Sequence, residues 1–261
     1  YSNIAIIYSD QGDYANALKY ADLEISLQGE LTDMNSYKII IPGPFPNVPG
    51  APLGWTDIPD AQNNPETIVA RHFLRPFGLG MDVCASPELT ALFSNDDKRW
   101  TLYYADGWPP APPYNYMTRY QVKLFLRGDY YNNYLSVPEM YLTRAECYAR
   151  ANNLGKALDD VNKLRANRIT PAAYKVFTPA DFNNDGEKVL RFVLEERRRE
   201  LAFTGMRVID LKRLNKEARF QKVIKHTAEG TEYELQPGSN NYVRQLWPNA
   251  TIFNPDWPLN P

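Results

Sequence analysis

Apolar residues near the start of the chain recur with the spacing of two short helices. Within residues 1–27 they form one stripe, a polar break at Gln11-Gly12-Asp13, and a second stripe. The stripes consist of Ile4, Ala5, Ile7 and Tyr8, then Tyr14, Ala17, Leu18 and Ala21. Because apolar residues three and four positions apart share one face of an α-helix, the pattern predicts a helix, a turn and a second helix.

The same pattern returns in a later segment, residues 138–165. The corresponding positions are Ala5 and Ala145, Tyr8 and Tyr148, Ala17 and Ala157, and Leu18 and Leu158. Gly12 falls on Asn152, and both residue types can adopt the left-handed conformation of a tight turn. Small residues at fixed positions let paired helices approach closely, as in tetratricopeptide hairpins. Because each hairpin leaves an apolar face open, we expect several pairs to stack.

The remaining segments complete the predicted architecture. Residues 188–215 predict two more helices broken at Gly205, and Ser86 followed by Pro87 predicts the start of a short helix. Residues 39–58 are crowded with proline and glycine, which regular helices do not tolerate. The chain is therefore predicted to be mainly α, with tetratricopeptide-like helical hairpins and a large irregular module. The predicted regions are a helical hairpin at 1–30, an irregular ligand module at 31–134, further hairpins at 135–216, and an irregular tail at 217–261 that packs on the module.

Composition narrows the possible partners. Hydrophobic residues make up 44% of the chain and charged residues 23%, which is enough to form a globular core. The formal net charge is −2, with no basic tail, and a nucleic-acid partner would require a concentrated cationic face. No stretch approaches the roughly 20 apolar residues that span a bilayer.

Aromatic side chains supply the positive indication of a binding function. The chain has 18 tyrosines and 5 tryptophans, and residues 100–134 are its most aromatic part. Such rings can stack on the apolar C–H face of a sugar while nearby polar groups bond its hydroxyls. The candidate ligand-binding residues are Trp55, Phe77, Trp100, Tyr104 and Trp108. Trp55 and Trp108 are preferred because prolines and glycines flank them; for every ring, packing inside the module is the alternative.

Two charged motifs have structural explanations. In the run from Glu195 to Glu200, both Glu195 and Glu196 lie within one helical turn of Arg199, which predicts ion pairs along a helix instead of catalytic carboxylates. Arg207 and Asp210 are also one turn apart and are expected to clamp the next helix.

Residues 181–186 match the first half of a calcium loop, but its twelfth position is Phe192 instead of a glutamate. We predict a polar turn there, with a calcium site of another kind left open. Cys84 and Cys147 do not predict a disulfide framework or a zinc site, and Cys147 is expected to be a buried apolar side chain. No phosphate loop, nucleophile elbow or zinc-protease motif is present, so we predict no metal, no cofactor and no enzyme activity.

Three segments, in order, resemble the SusD/RagB family of nutrient-binding proteins. The most specific is residues 189–216, VLRFVLEERRRELAFTGMRVIDLKRLNK. Residues 141–168, YLTRAECYARANNLGKALDDVNKLRANR, are similar to the Arg-Ala-Glu helix of that family and its partner helix. Residues 86–99, SPELTALFSNDDKR, are similar to its Ser-x-Glu-Leu and Asp-x-Arg stretch. The tail departs from the usual Pro-Ile-Pro pattern and offers only Trp247-Pro248 and Asn254-Pro255.

The resemblance implies the C-terminal part of a lipoprotein on the external face of the outer membrane of Gram-negative bacteria. Such proteins bind oligosaccharides, or sometimes peptides or other nutrients, and deliver them without catalysis to a SusC-like TonB-dependent transporter. The implied fold is SusD-like, a tetratricopeptide-like scaffold carrying an irregular ligand module. Because Tyr1 lies within a helical pattern, we expect the chain to be a fragment. A signal peptide and lipidation cysteine, which would provide the only membrane contact, would then lie upstream.

Two other functions stay open on the sequence alone. A tetratricopeptide-type scaffold would bind a protein or peptide in a groove of the hairpins and would be indifferent to the loop tryptophans. A glycoside hydrolase would require two carboxylates about 5–10 Å apart in a cleft and would turn over a bound glycan.

Overall fold

The computed structural model describes residues 1–40, 55–56, 59, 63–69, 85–106, 120–122, 135–228, 230–243, 252 and 255–256. Its α-helices are α1 Ser2–Gln11, α2 Tyr14–Leu27, α3 Pro87–Thr90, α4 Lys98–Tyr103, α5 Val137–Arg150, α6 Leu154–Ala166, α7 Gly186–Glu200 and α8 Met206–Leu214. Its strands are β1 Ile39–Ile40, β2 Trp55–Thr56, β3 Thr67–Val69, β4 Tyr104–Asp106, β5 Tyr120–Val122, β6 Leu135–Ser136, β7 Ile224–Ala228 and β8 Thr231–Leu235. The prediction of a mainly α fold is confirmed.

The strands in the described part of the chain form four antiparallel pairs, β1 with β2, β3 with β6, β4 with β5 and β7 with β8. The last pair lies in the tail, which the sequence analysis predicted to be irregular. Gly230 turns the chain at φ 79° between the two strands. Lys225 on β7 pairs across the ribbon with Glu232 and Glu234 on β8. These cross-strand pairs and the glycine turn explain the regular hairpin.

The first helical hairpin forms where the apolar spacing predicts it. α1 ends at Gly12, whose φ of 81° is left-handed and favours glycine. Asp13 then begins α2, because its carboxylate accepts a hydrogen bond from the Asn16 backbone N–H at 3.1 Å. Ala17 and Ala21 on α2 are fully buried, which lets the two helices approach closely.

The second hairpin repeats this design with α5 and α6. Asn152, the position that corresponds to Gly12, has a left-handed φ of 57° between the helices. Ala145 and Ala157 are fully buried at the positions that match Ala5 and Ala17. The predicted correspondence between the two hairpins therefore extends to the conformation of their turns.

The core lies where α5, α6 and α7 meet. Its buried members are Ala145, Ala149, Leu154, Ala157, Leu158, Val161, Val189, Leu190 and Val193. A smaller cluster of Ala5, Ala21 and Met140 joins the first hairpin to α5. Burying each large aliphatic side chain contributes about 1.5–3 kcal/mol to the stability of the fold. This packing holds the helices together in one stack. Cys147 is 2% exposed on α5, as predicted.

A network of buried ions, here called the α7 network, ties the irregular segments to this stack. Arg99 of α4 and Arg168 after α6 are both fully buried. Arg99 contacts Asp97, Glu196 and Glu200, each at 2.7 Å. Arg168 contacts Glu66 at 2.8 Å and Glu200 at 2.9 Å, and it donates to the Thr32 carbonyl oxygen at 2.9 Å. Glu200 therefore receives two guanidinium groups from separate segments.

A second buried network joins α5, α7 and α8. Arg213 holds both oxygens of Glu146 at 2.6 and 2.7 Å. Asp210 pairs with Arg197 and Arg213, each at 3.0 Å. The expectation that Arg207 and Asp210 together clamp the next helix is wrong, because Asp210 pairs with Arg197 and Arg213, and Arg207 has no ion pair among the described residues.

The run from Glu195 to Glu200 has a structural role. Glu196 accepts from Arg199 at 2.7 Å, which confirms the predicted pair three residues apart. Glu195 is exposed, and the described contacts include no ion pair for it, contrary to the pairing predicted with Arg199. Arg199 turns inward instead, where Glu196 is fully buried.

The turn that resembles a calcium loop uses its acidic groups for capping. The Asp181 carboxylate accepts from the backbone and hydroxyl of Thr178 at 2.8 and 2.9 Å and contacts Lys175 at 2.6 Å. Asp185 accepts from the backbone N–H of Glu187 at 2.9 Å and so begins α7. This is the polar turn that the sequence predicts.

Candidate ligand-binding site

The segment around α3 and α4 gathers a cluster of aromatic rings. Ser86 caps α3 by accepting from the Leu89 N–H at 3.3 Å, as predicted, and the chain then brings Phe93 toward α4. The ring centroids of Phe93 and Trp100 lie 5.6 Å apart, and those of Trp100 and Tyr104 lie 5.2 Å apart. Phe203, in the turn after α7, meets Tyr104 edge-on at 6.3 Å.

This aromatic cluster contains two of the five predicted site residues. Tyr104 is only 5% exposed, and burial raises the pKa of its hydroxyl. Trp100 is half-buried against its neighbours. Tyr104 thus corresponds to the packing alternative for these rings, since its faces are covered by Phe93 and Trp100. Trp100 keeps some accessible surface, and a ligand-binding role for either residue stays a prediction.

The other three predicted site residues are Trp55, Phe77 and Trp108. Trp55 lies in β2, where it pairs with Ile40 of β1. Phe77 and Trp108 lie outside the described residues. Their roles in binding stay predictions.

A cleft of about 720 Å³, here called the α7–α8 cleft, opens beside the aromatic cluster. Leu89, Leu92, Ala202 and Phe203 belong to both features, so the cluster forms one wall of the cleft. The floor comes from leucines of α7, α8 and the turn between them, namely Leu194, Leu201, Leu211 and Leu214. The cleft is large enough for a small organic molecule, since ligand pockets commonly measure about 300–1,000 Å³.

Charged side chains surround this apolar floor. Glu88 on α3 contacts Lys222 at 2.6 Å and Arg198 at 3.2 Å. The hydrogen bond from Lys222, with Arg198 close by, lowers the pKa of Glu88. Arg207 from the first turn of α8 also lines the cleft.

Sequence reasoning missed this cleft, although part of its lining is visible as a pattern. Leu194, Arg198 and Leu201 lie three or four positions apart and therefore share one face of α7. The sequence does not show that α3 and residues 219–222 stand opposite that face. Their placement depends on tertiary packing and on the ion pairs of Glu88.

The described residues provide no arrangement suited to a metal. No group of three or more histidine, cysteine, aspartate or glutamate side chains within them could hold an ion. The described helices also include none that is long and apolar enough to cross a membrane.

The C-terminal part of the chain is similar to a known protein family. Residues 134–254 match the model of the SusD family. These residues belong to the SusD family. The match contains α5 to α8 and the β7–β8 hairpin, and so includes residues 141–168 and 189–216 that carry the resemblance in the sequence. For these residues the predicted membership of the SusD/RagB family is confirmed.

Solved SusD-like structures share the fold beyond that match. A SusD superfamily protein from Bacteroides thetaiotaomicron VPI-5482 is similar over 82% of this chain and 48% of its own, with a TM-score of 0.55 and 22% identity. A SusD-like protein from Bacteroides fragilis NCTC 9343 is similar over 98% of this chain and 63% of its own, with a TM-score of 0.59 and 15% identity. A SusD superfamily protein from Bacteroides vulgatus ATCC 8482 is similar over 82% of this chain and 50% of its own, with a TM-score of 0.55 and 14% identity.

At these identities the likeness establishes the SusD-like fold, which confirms the predicted fold class. The chain spans less than two thirds of the length of each of these structures. A comparison of the chain with curated proteins found no significant match.

Proposed function

We propose that the protein binds a glycan nutrient at the outer face of the outer membrane and passes it, without catalysis, to a SusC-like TonB-dependent transporter. The observation that carries this proposal is the SusD-family match of residues 134–254, joined to a SusD-like fold over the described chain. Nutrient binding at the cell surface is the role associated with that family. The abundance of aromatic residues fits a surface that holds sugars by stacking.

The ligand surface we propose is formed by aromatic rings of the irregular module. Trp55 and Trp108 are the principal candidates, and Phe77 and Trp100 are secondary. Tyr104 is assigned the supporting role of holding Trp100, because the two rings stack at a centroid distance of 5.2 Å. Stacking with a few hydrogen bonds gives a weak site, and we expect dissociation constants between about micromolar and millimolar, or roughly 4–8 kcal/mol.

The test is calorimetric titration of the whole protein with a panel of oligosaccharides. We expect at least one glycan to bind and expect Trp55→Ala or Trp108→Ala to abolish its binding. Tyr233→Ala is the matched control, since Tyr233 is an aromatic residue on β8 that is 57% exposed and outside the aromatic cluster. Failure of every glycan to bind, or unchanged binding by both tryptophan variants, contradicts the assignment.

Two further measurements separate this proposal from its alternatives. Product analysis after long incubation with the bound glycan should find the glycan intact, whereas a glycoside hydrolase would release shorter fragments. A tetratricopeptide-type scaffold would bind peptides equally well after loss of the tryptophans. For the partner and location, fractionation of cells should place the whole protein in the outer membrane, where it should co-purify with a TonB-dependent transporter.

A further inference from the structure

Arg207 differs from the other arginines in the described part of the chain. Each of the others has a carboxylate within 4 Å, from the fully buried Arg99 to the surface residue Arg191. Among the described contacts, Arg207 has none, although it is half-buried and lies in the α7–α8 cleft. An unpaired guanidinium in a partly desolvated site is costly, and it becomes favourable when an anion binds there.

The charges around Arg207 do not compensate for it. The charged groups with the largest effect on it are Arg198, Asp210 and Glu88. Asp210 is already held by Arg197 and Arg213, each at 3.0 Å on the buried side of α8.

Glu88 is shared in the same way, because it already contacts both Arg198 and Lys222. Burial, together with the neighbouring Arg198, lowers the pKa of Arg207. This end of the cleft therefore has an excess of positive charge.

The floor of the cleft is apolar. Leu201, Leu211 and Leu214 are each less than 10% exposed, and their remaining surface forms the floor. Val208, next to Arg207 in α8, is 52% exposed and adds to this surface. A strongly hydroxylated ligand would leave its polar groups unpaired against these side chains, whereas an apolar ligand body would cover them favourably.

We propose that the α7–α8 cleft binds an amphiphilic anion, in which a carboxylate or sulfate group contacts Arg207 and an apolar body covers the leucine floor. This site is separate from the aromatic rings proposed to hold a glycan, and it does not depend on that function. Arg207 is a good anion partner because its planar guanidinium can bind both oxygens of a carboxylate.

The probe ligands are octanoate, octanol and acetate, titrated into the whole protein by calorimetry below the micelle concentration. Octanoate and octanol share an apolar body and differ in charge, while octanoate and acetate share a carboxylate and differ in apolar length. We expect octanoate to bind at least about tenfold more tightly than either of the others, since a hydrogen bond to a charged group and burial of a short alkyl chain each contribute that much or more.

Arg207→Gln should remove the preference for octanoate over octanol. It should not lower the melting temperature, because the side chain forms no ion pair among the described residues. Lys212→Gln is the matched control: Lys212 lies on the same helix and is exposed, but it lines a different cleft. This control variant should keep the preference.

Three results would overturn the proposal. The first is equal binding of octanoate and octanol by the unmodified protein, or no binding of octanoate. The second is equal binding of octanoate and acetate, which would show that the leucine floor contributes nothing. The third is a preference for octanoate that survives in Arg207→Gln or is lost equally in Lys212→Gln.

Discussion

Replacing Glu196 by glutamine should destabilise the fold much more than the same replacement at its exposed neighbour Glu195. Glu196 is fully buried, and three guanidinium groups surround its carboxylate. Arg99 and Arg199 lie 2.7 Å from it and Arg165 lies 2.8 Å away. Burial alone would raise the pKa of Glu196, but these three cations outweigh burial and hold the pKa well below its usual range.

The size of the effect follows from the charge that would remain. Glutamine has nearly the same shape, but it leaves three arginine side chains around a neutral group. Removing one partner from a buried ion pair costs about 3–5 kcal/mol, because the remaining charge is buried without compensation. For a chain of this size, each kcal/mol lowers the melting temperature by about 2–4 °C, so we expect a fall of roughly 6–20 °C.

The assay is thermal and urea unfolding followed by circular dichroism, with Glu195→Gln as the matched control. Glu195 is the adjacent residue in the same helix, but it is exposed. A surface substitution of this kind changes stability by at most about 0.5 kcal/mol. The reasoning is refuted if Glu196→Gln unfolds like the unmodified protein, or if Glu195→Gln costs as much.

Two further predictions concern pH and backbone strain. Burial raises the pKa of Glu139 to about 7, although Arg197 at 3.3 Å opposes the shift. Between pH 4.5 and 7 the folded protein keeps this proton while the unfolded chain loses it, so this carboxyl makes stability fall as pH rises, by about 3 kcal/mol in total. Glu139→Gln should therefore gain about that much relative to the unmodified protein between pH 4.5 and 8 in urea unfolding, and an equal pH slope in both proteins would contradict this. Gly12 and Gly155 both have open space where a Cβ would lie, but only Gly12 has a left-handed φ, of 81°. Gly12→Ala should lose about 1–2 kcal/mol and Gly155→Ala, within α6, should gain about 0.5–1 kcal/mol, and equal effects in thermal unfolding would show that φ is not the cause.

The helical part of this fold could be predicted because it depends on residues that are close together in the sequence. The spacing of alanines in the two hairpins, and the match of Gly12 with Asn152, are features of neighbouring residues. They predicted turns that the structure shows at φ 81° and 57°. The pair of Glu196 with Arg199 was also predictable, since both lie within one turn of α7.

The candidate site was less predictable because its contacts join distant parts of the chain. Aromatic content predicted a stacking surface, but Tyr104 is covered partly by Phe203, which follows a helix much later in the sequence. Arg207 and Arg213 are each three residues from Asp210, and the sequence analysis grouped Asp210 with Arg207. The structure instead pairs Asp210 with Arg213 and with Arg197 and leaves Arg207 in the α7–α8 cleft. Local spacing shows which pairs can form, whereas packing decides which of them do.

The buried ions also explain how an irregular segment can present a binding surface. Arg168 joins Glu66 before β3, the Thr32 carbonyl before β1 and Glu200 at the end of α7. Helix α4 is fixed to the same carboxylate by Arg99. A ligand surface built on such anchored segments loses less conformational entropy on binding than one built on free loops, and it therefore needs fewer contacts for the same affinity. Apolar packing of the same volume would serve stability equally well, but it would not fix the orientation of each segment through directed hydrogen bonds.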